Sequence, residues 1–282
     1  MTVRRMPDVG SLKKVKLKDA YDELSASFDD VAGPSMTRFT RLLLREISIP
    51  EKPVCLDVGC GTGISTFELA KRIRGGGAIY GIDFSELMIG QAKRSAERLG
   101  LPDIKFSTGD AEKLDFPDSM FDLVLSNQTL PFIPDKQKAL KEMHRVLKPG
   151  GETALLFYGG PVYQEILKIA LEVACRHPEY PQFMKAVVEF RDELIQLVDA
   201  VDLFESAGFM DHMIYGRDQL VFVDPSFWLK RGMLWDIWRS GLPPDAVDSI
   251  RDEIMVECRK LSGARGFRHT TYNIIAVGVK GE

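Results

Sequence analysis

The chain has 282 residues, 45% of them hydrophobic, ample for a sizeable core in one elaborated domain or two small ones. A formal net charge of -4 argues against a phosphate-tracking surface, which needs clustered Lys and Arg, so no nucleic-acid partner is expected. No apolar run approaches the roughly 18 residues of a membrane helix, and Cys55, Cys60, Cys175 and Cys258 lack C-x-x-C spacing, so neither a disulfide framework nor a zinc site is indicated. A cytoplasmic protein is expected, with no metal and no membrane partner.

In residues 1–50, Ala20 to Asp29 and Thr37 to Ile47 read as helices separated by Gly33 and Pro34. Over 51–160, short apolar runs alternate with amphipathic segments, the pattern of a parallel sheet covered on both faces. Strands are predicted near 54–58, 79–83, 104–107, 121–126 and 152–158. Met88, Ala92, Ala96 and Leu99 repeat at helical spacing and are expected to face the sheet, as are Leu140, Met143 and Leu147. Residues 161–200 form a helical insertion, with apolar spacing in Ile166, Ile169, Ala170 and Val173 and a break at Pro178. Within 201–282, Asp211 to Asp224 reads as a sixth strand and Phe267 to Lys280 as a seventh. The insertion 225–263 between them carries two helical stretches, Pro225 to Ser240 and Pro243 to Leu261.

The most informative segment is Val54 to Gly63, VCLDVGCGTG, where an apolar strand meets Asp57 and then Gly59, Gly61 and Gly63 at alternate positions. That order builds a strand, a tight turn and a helix N-terminus, where backbone approaches a bound nucleoside closely. A second strand, AIYGID, ends on Asp83, an acid able to accept hydroxyl hydrogen bonds from a ribose. A dinucleotide turn reads G-x-G-x-x-G, whereas Ile64 stands here at the third glycine, a poor fit to a pyrophosphate.

The turn resembles motif I of the class I S-adenosylmethionine-dependent methyltransferases, and further blocks follow in that family's order. Ile82 to Met88 with Ala92 is similar to the start of the second core helix, and Gly109 to Glu112 to the acidic turn after the third strand. FDLVLSN from Phe121 to Asn127 resembles the fourth strand, and RVLKPGG from Arg145 to Gly151 the turn into the fifth. The resemblance covers roughly residues 50 to 160 and lies nearest the small-molecule, ubiquinone-biosynthesis-type branch.

It implies an α/β fold: a doubly wound, seven-stranded, mostly parallel sheet with an antiparallel seventh strand and helical lid insertions, in a single domain over 1–282. The cofactor implied is S-adenosylmethionine. Asp57, Gly59, Gly61 and Gly63 resemble the element at its methionine end, and Asp83, with Phe84 following, the ribose acceptor. Met88 is similar to the apolar plate against adenine, Asp110 and Ala111 to the turn reading the adenine amine, and Asn127 to a residue at a variable position. Three insertions over the ligand edge suggest a roofed pocket. Phe183, Phe190, Phe227, Trp228, Trp235 and Trp238 either line it or pack the lid onto the core.

A sulfonium methyl group is already activated, so positioning and exclusion of water are the main demands, and a base is needed only where the attacking atom must lose a proton. Of four histidines, His144 reads as a surface residue, His177 lies in the insertion, and His212 and His269 begin the sixth and seventh strands. An antiparallel seventh strand puts His269 at the ligand edge, and Tyr158 closes the fifth strand there, so these two are the catalytic candidates, each with an alternative as a hydrogen-bonded structural residue. Asn127, Gln128, Thr129 and Leu130 differ from the Pro-Pro-aromatic signature of nucleobase methylation; arsenic methylation, which needs several converging thiolates, stays open through Cys175 and Cys258 in the insertions, although Cys55 and Cys60 lie in the glycine-turn motif and buried inert cysteines are the commoner outcome. A small, partly apolar organic acceptor remains the expectation. A non-catalytic binder of the cofactor and a nicotinamide oxidoreductase are the alternatives; the oligomeric state is open, a homodimer included.

Overall fold

The structure is a computed structural model that describes residues 18–282 except 20, 23–24, 74–75, 161–162, 193, 227–228, 230–234, 236–237 and 240–241. In chain order it contains α1 (Phe28–Leu43), β1 (Val54–Val58), α2 (Ile64–Ile73), β2 (Ala78–Asp83), α3 (Glu86–Arg98), β3 (Lys105–Thr108), β4 (Phe121–Asn127), α4 (Lys136–Val146) and β5 (Leu147–Tyr158). There follow α5 (Gln164–Ala174), α6 (Tyr180–Asp192), α7 (Leu197–Ala207), β6 (Phe209–Val223), α8 (Pro244–Lys260) and β7 (Phe267–Lys280). The seven strands form one sheet in the order β3-β2-β1-β4-β5-β7-β6. No helix among the described residues is long and apolar enough to cross a membrane.

The chain divides into two compact units, one of residues Met1–Phe157, Val198–Tyr215 and Ile275–Glu282, the other of Tyr158–Leu197 and Gly216–Ile274. In the first unit, β3, β2, β1, β4 and β5 are parallel, with Leu56 opposite Tyr80 on one side and Val124 on the other. The order reverses at β1, so the crevice at the carboxyl ends of β1 and β4 is the switch point where such sheets take their ligands. Leu56, Val124 and Leu125 are fully buried, as a strand covered on both faces requires.

β7 runs against its neighbours. Lys280 at its end donates to the carbonyls of Arg145, in the last turn of α4, and Leu147, the first residue of β5, whereas Tyr272, earlier in the strand, accepts from Gly159 just past the end of β5.

Three local expectations are corrected. Gly33 and Pro34 do not separate two helices: α1 runs through both, and Pro34 forfeits one amide bond on a solvent-facing turn while Ala32, Phe39 and Leu43 are buried on the other face. Leu99 does not face the sheet; it caps α3 and is half exposed. Leu147 is buried, but as the first residue of β5 and not on the preceding helix.

In the second unit, α5 packs on α8, burying Ile166, Ile169, Ala170 and Val173 on one side and Ile250, Ile254 and Cys258 on the other. Phe183 and Trp238 meet edge to face at 5.7 Å, and both are buried, as is Trp235. Of the six aromatics anticipated as pocket lining or packing, these three are thus placed in the interior of the second unit. Phe227, Trp228 and the side chain of Phe190 lie outside the described residues.

Candidate active site

β1 delivers Asp57 to its end with no exposed surface, and the Thr66 hydroxyl on α2 donates to Oδ2 at 2.6 Å. Oδ1 is buried with no hydrogen-bond partner among the described residues. Burial pushes this carboxyl up to about 7, against the Thr66 hydrogen bond.

The glycines that follow differ in what they tolerate. Gly59 has φ +73 and a Cβ there would stand 2.2 Å from Thr129 Oγ1, so the chain leaves no room for one. Gly61 has φ +53 and faces open space. At Gly63, φ +92, a Cβ would meet the Phe67 ring at 2.8 Å. The turn is pinned from β2: Gly59 and Cys60 amides donate to the Ile82 carbonyl at 2.8 and 2.9 Å.

Asp83 is buried and holds two turns at once. Its Oδ2 accepts from the Gly61 amide and its Oδ1 from the Ser85 amide, both at 2.9 Å. Burial raises its pKa, opposed by those two amide bonds. Each oxygen retains a lone pair for a ligand hydroxyl. Ser85 caps α3 by accepting from the Met88 amide at 3.1 Å, and Met88 is buried on that first turn; Phe84, between Asp83 and the cap, is half-buried. The next turn is adjacent: Gly109 donates to the Asp83 carbonyl at 2.9 Å, Asp110 Oδ1 accepts from the Glu112 amide at 2.9 Å, and Ala111 lies between them. Asp57, Gly59, Gly61, Gly63, Asp83, Phe84, Met88, Asp110 and Ala111 are thus brought to one edge of the first unit.

Asn127 is placed differently. Its amide nitrogen donates to Thr40 Oγ1 at 3.0 Å and Ser65 Oγ at 3.1 Å, tying α1 to α2, while its Oδ1 is buried with no hydrogen-bond partner among the described residues.

Residues that no sequence pattern singled out also stand at this edge. Thr62 donates to Asp29 Oδ1 at 2.5 Å, and the Ser85 hydroxyl bonds Asp22. The Tyr21 ring lies 6.4 Å from Phe28, 6.2 Å from Phe84 and 6.2 Å from Phe132. Gln128, buried just past β4, has φ +59, a left-handed conformation uncommon outside glycine, and its amide donates to Leu156 at 2.6 Å.

Tyr158 and His269 meet in the second unit through Tyr163, whose ring centroid is 5.4 Å from Tyr158 and 5.9 Å from His269. Burial pushes the Tyr158 phenol up to about 12, against a hydrogen bond with Tyr163. Burial lowers His269 to about 4, against the charge of Glu165. Near neutral pH Tyr158 is therefore a donor and His269 an uncharged, weakly basic imidazole. His144, expected at the surface, is half-buried and packs edge to face on Phe209 at 5.1 Å. His177 pairs with Glu253 at 3.0 Å and His212 lies 3.8 Å from Glu205. Among the described residues no cluster of three or more His, Cys, Asp or Glu could hold a metal.

This donor set suits S-adenosylmethionine. The orphaned, buried Asp57 oxygen suits a cationic amine, the open face of Gly61 admits a ligand against bare backbone, and Asp83 offers acceptors for vicinal hydroxyls. Residues 51–165 match the family model described as a methyltransferase domain. The demethylmenaquinone methyltransferase of Geobacillus stearothermophilus is 32% identical over 219 residues, covering 71% of this chain and 90% of that protein. Among solved structures, the YcgJ protein of Bacillus subtilis superposes with a TM-score of 0.56 at 19% identity, covering 87% of this chain and 99% of the other. Phosphoethanolamine N-methyltransferase 2 of Haemonchus contortus, solved with S-adenosylhomocysteine, gives 0.54 at 18% identity over 86% of this chain and 52% of that one.

Fold and site together define a class I S-adenosylmethionine-dependent methyltransferase. Within that class, the chain belongs to the small-molecule family of menaquinone and ubiquinone type.

Proposed function

We propose that this enzyme methylates a small, partly apolar, planar acceptor by in-line displacement, with the chain's residues positioning the partners and excluding water. The observation that carries the acceptor class is the gathering of Tyr21, Phe28, Phe84 and Phe132, all half-buried, beside Asp83. Ring faces at a ligand edge favour flat apolar acceptors over charged metabolites. The relatives named as demethylmenaquinone methyltransferases support a quinone-like acceptor.

When bound, S-adenosylmethionine supplies an electrophilic methyl group. Asp57 and the glycine turn hold its methionyl end, Asp83 its ribose hydroxyls, and Asp110, Ala111 and Met88 its adenine. Asn127 serves through Oδ1, since its nitrogen is engaged by Thr40 and Ser65. Tyr158 orients an acceptor oxygen by donating to it, and neither it nor His269 removes a proton. The helical insertions 161–200 and 225–263 select the acceptor. The enzyme works in the cytoplasm, and a homodimer is its proposed assembly.

The test is formation of S-adenosylhomocysteine from a panel of reduced demethylated quinones, phenols, amines and carboxylates. Turnover confined to quinol-like or phenolic acceptors supports the reading. Turnover of a charged amine alone overturns the acceptor class, and cofactor binding with no turnover on any of them favours a non-catalytic binding protein.

A further inference from the structure

The N-terminal segment reaches three of the turns at the carboxyl ends of the parallel strands in the first unit. Asp29 accepts from Thr62 in the turn after β1, at 2.5 Å. Asp22 bonds the hydroxyl of Ser85 in the turn after β2. Between these two carboxylates, Tyr21 packs on Phe84 after β2 and on Phe132 after β4, and Phe28 packs on Tyr21.

Both hydroxyls are deeply buried, Thr62 at 1% and Ser85 at 0% exposure, so each must spend its single proton on an internal acceptor. A carboxylate is the strongest acceptor available to a neutral hydroxyl. Ser85 is doubly committed, donating to Asp22 while accepting from the Met88 amide, and its own amide holds Asp83. Lys18 pairs with Asp22 at 2.8 Å and keeps that carboxylate ionised. Each contact therefore joins a residue of the N-terminal segment to a turn one bond removed from a cofactor group: Thr62 neighbours Gly61, and Ser85 is bonded to Asp83.

We propose that Asp22 and Asp29 are positioning residues which clasp themselves and the Tyr21 and Phe28 rings over the cofactor, so that the cofactor enters and leaves only when both carboxylate–hydroxyl bonds are released. The clasp rests on the cofactor reading above. It sets the rate of cofactor exchange and holds Asp83 and the glycine turn in their binding geometry, without touching the reacting atoms.

The experiment uses the full chain and S-adenosylhomocysteine as probe. Release rates are read by stopped-flow competition, affinities by calorimetry, and tryptic cleavage near Lys18 with and without the probe. Asp22→Ala and Asp29→Ala are each expected to speed release about tenfold, with a smaller change in association. Thr62→Val should act like Asp29→Ala, and Thr62→Ser, which keeps the hydroxyl, should recover most of the loss. In the wild type the probe should slow cleavage near Lys18; in the Asp22→Ala/Asp29→Ala double variant it should not. A double variant with wild-type release and wild-type protection overturns the clasp, even where its melting temperature has fallen. A folded wild type that fails to bind the probe overturns the cofactor reading itself, a different result.

Discussion

Asp83 Oδ2 accepts the Gly61 amide hydrogen at 2.9 Å across 22 residues of sequence. The acid that ends β2 therefore fixes the glycine turn that ends β1, and its other oxygen fixes the cap of α3 through Ser85. The carboxylate shapes the site as well as filling it. Asp83→Ala removes the acceptor for both amides and for the ligand, and should weaken S-adenosylhomocysteine binding by about a hundredfold or more. Asp83→Asn keeps one oxygen and should lose about tenfold. Calorimetric titration of the two variants separates these outcomes.

Asp57 makes cofactor affinity depend on pH. Its folded pKa, about 7, stands above the ordinary 3.8, so the empty protein prefers the neutral carboxyl. A cationic amine beside Oδ1 prefers the anion, so affinity should rise with pH through about 7 and flatten above it. The same displacement acts on the unliganded fold with the opposite sense. Between 3.8 and about 7 the native state binds more protons than the unfolded state, so the stability contribution is fully present below 3.8 and is lost as pH rises through 7. Asp57→Asn should abolish both slopes, as seen in calorimetry and thermal melts from pH 5 to 8.

Gly59 and Gly61, two residues apart, should fail in different ways. Gly59→Ala drives a methyl group into Thr129 at a positive φ, and should lower the melting temperature by several degrees. Gly61→Ala meets no protein atom and costs about 1 kcal/mol of backbone strain, yet it fills the face open to a ligand. It should melt within a few degrees of wild type while losing about tenfold or more in cofactor affinity.

Tyr158→Phe should lower turnover by about tenfold at most, because a phenol held near 12 donates a hydrogen bond and takes no proton. With His269 near 4, turnover should show no inflection from this imidazole between pH 6 and 8. A thousandfold loss in Tyr158→Phe at unchanged cofactor affinity, or an inflection that disappears in His269→Asn, would defeat the positioning mechanism.

The strands over 54–58 and 267–280, the helix carrying Met88, Ala92 and Ala96, and the glycine turn between two acids were legible in the amino-acid order. Each is fixed by neighbours a few residues away, through side-chain alternation, helical spacing or a conformation that glycine adopts readily. The continuity of α1 through Pro34 was not legible, because a local penalty was outweighed by the burial of Phe39 and Leu43. Nor was the left-handed backbone of Gln128, imposed by its bond to Leu156 on another strand.

Sequence alone determined the family, the cofactor and the residues that follow each strand, since a ligand held by backbone turns leaves its mark in contiguous motifs. Only the tertiary structure decided that Tyr163 joins Tyr158 to His269, that Asn127 spends its amide on Thr40 and Ser65, and that Asp22 and Asp29 reach Ser85 and Thr62. Those contacts join residues separated by up to about a hundred positions. Their partners are chosen by packing and by the need of each buried hydroxyl or amide for an acceptor, conditions that no local pattern encodes.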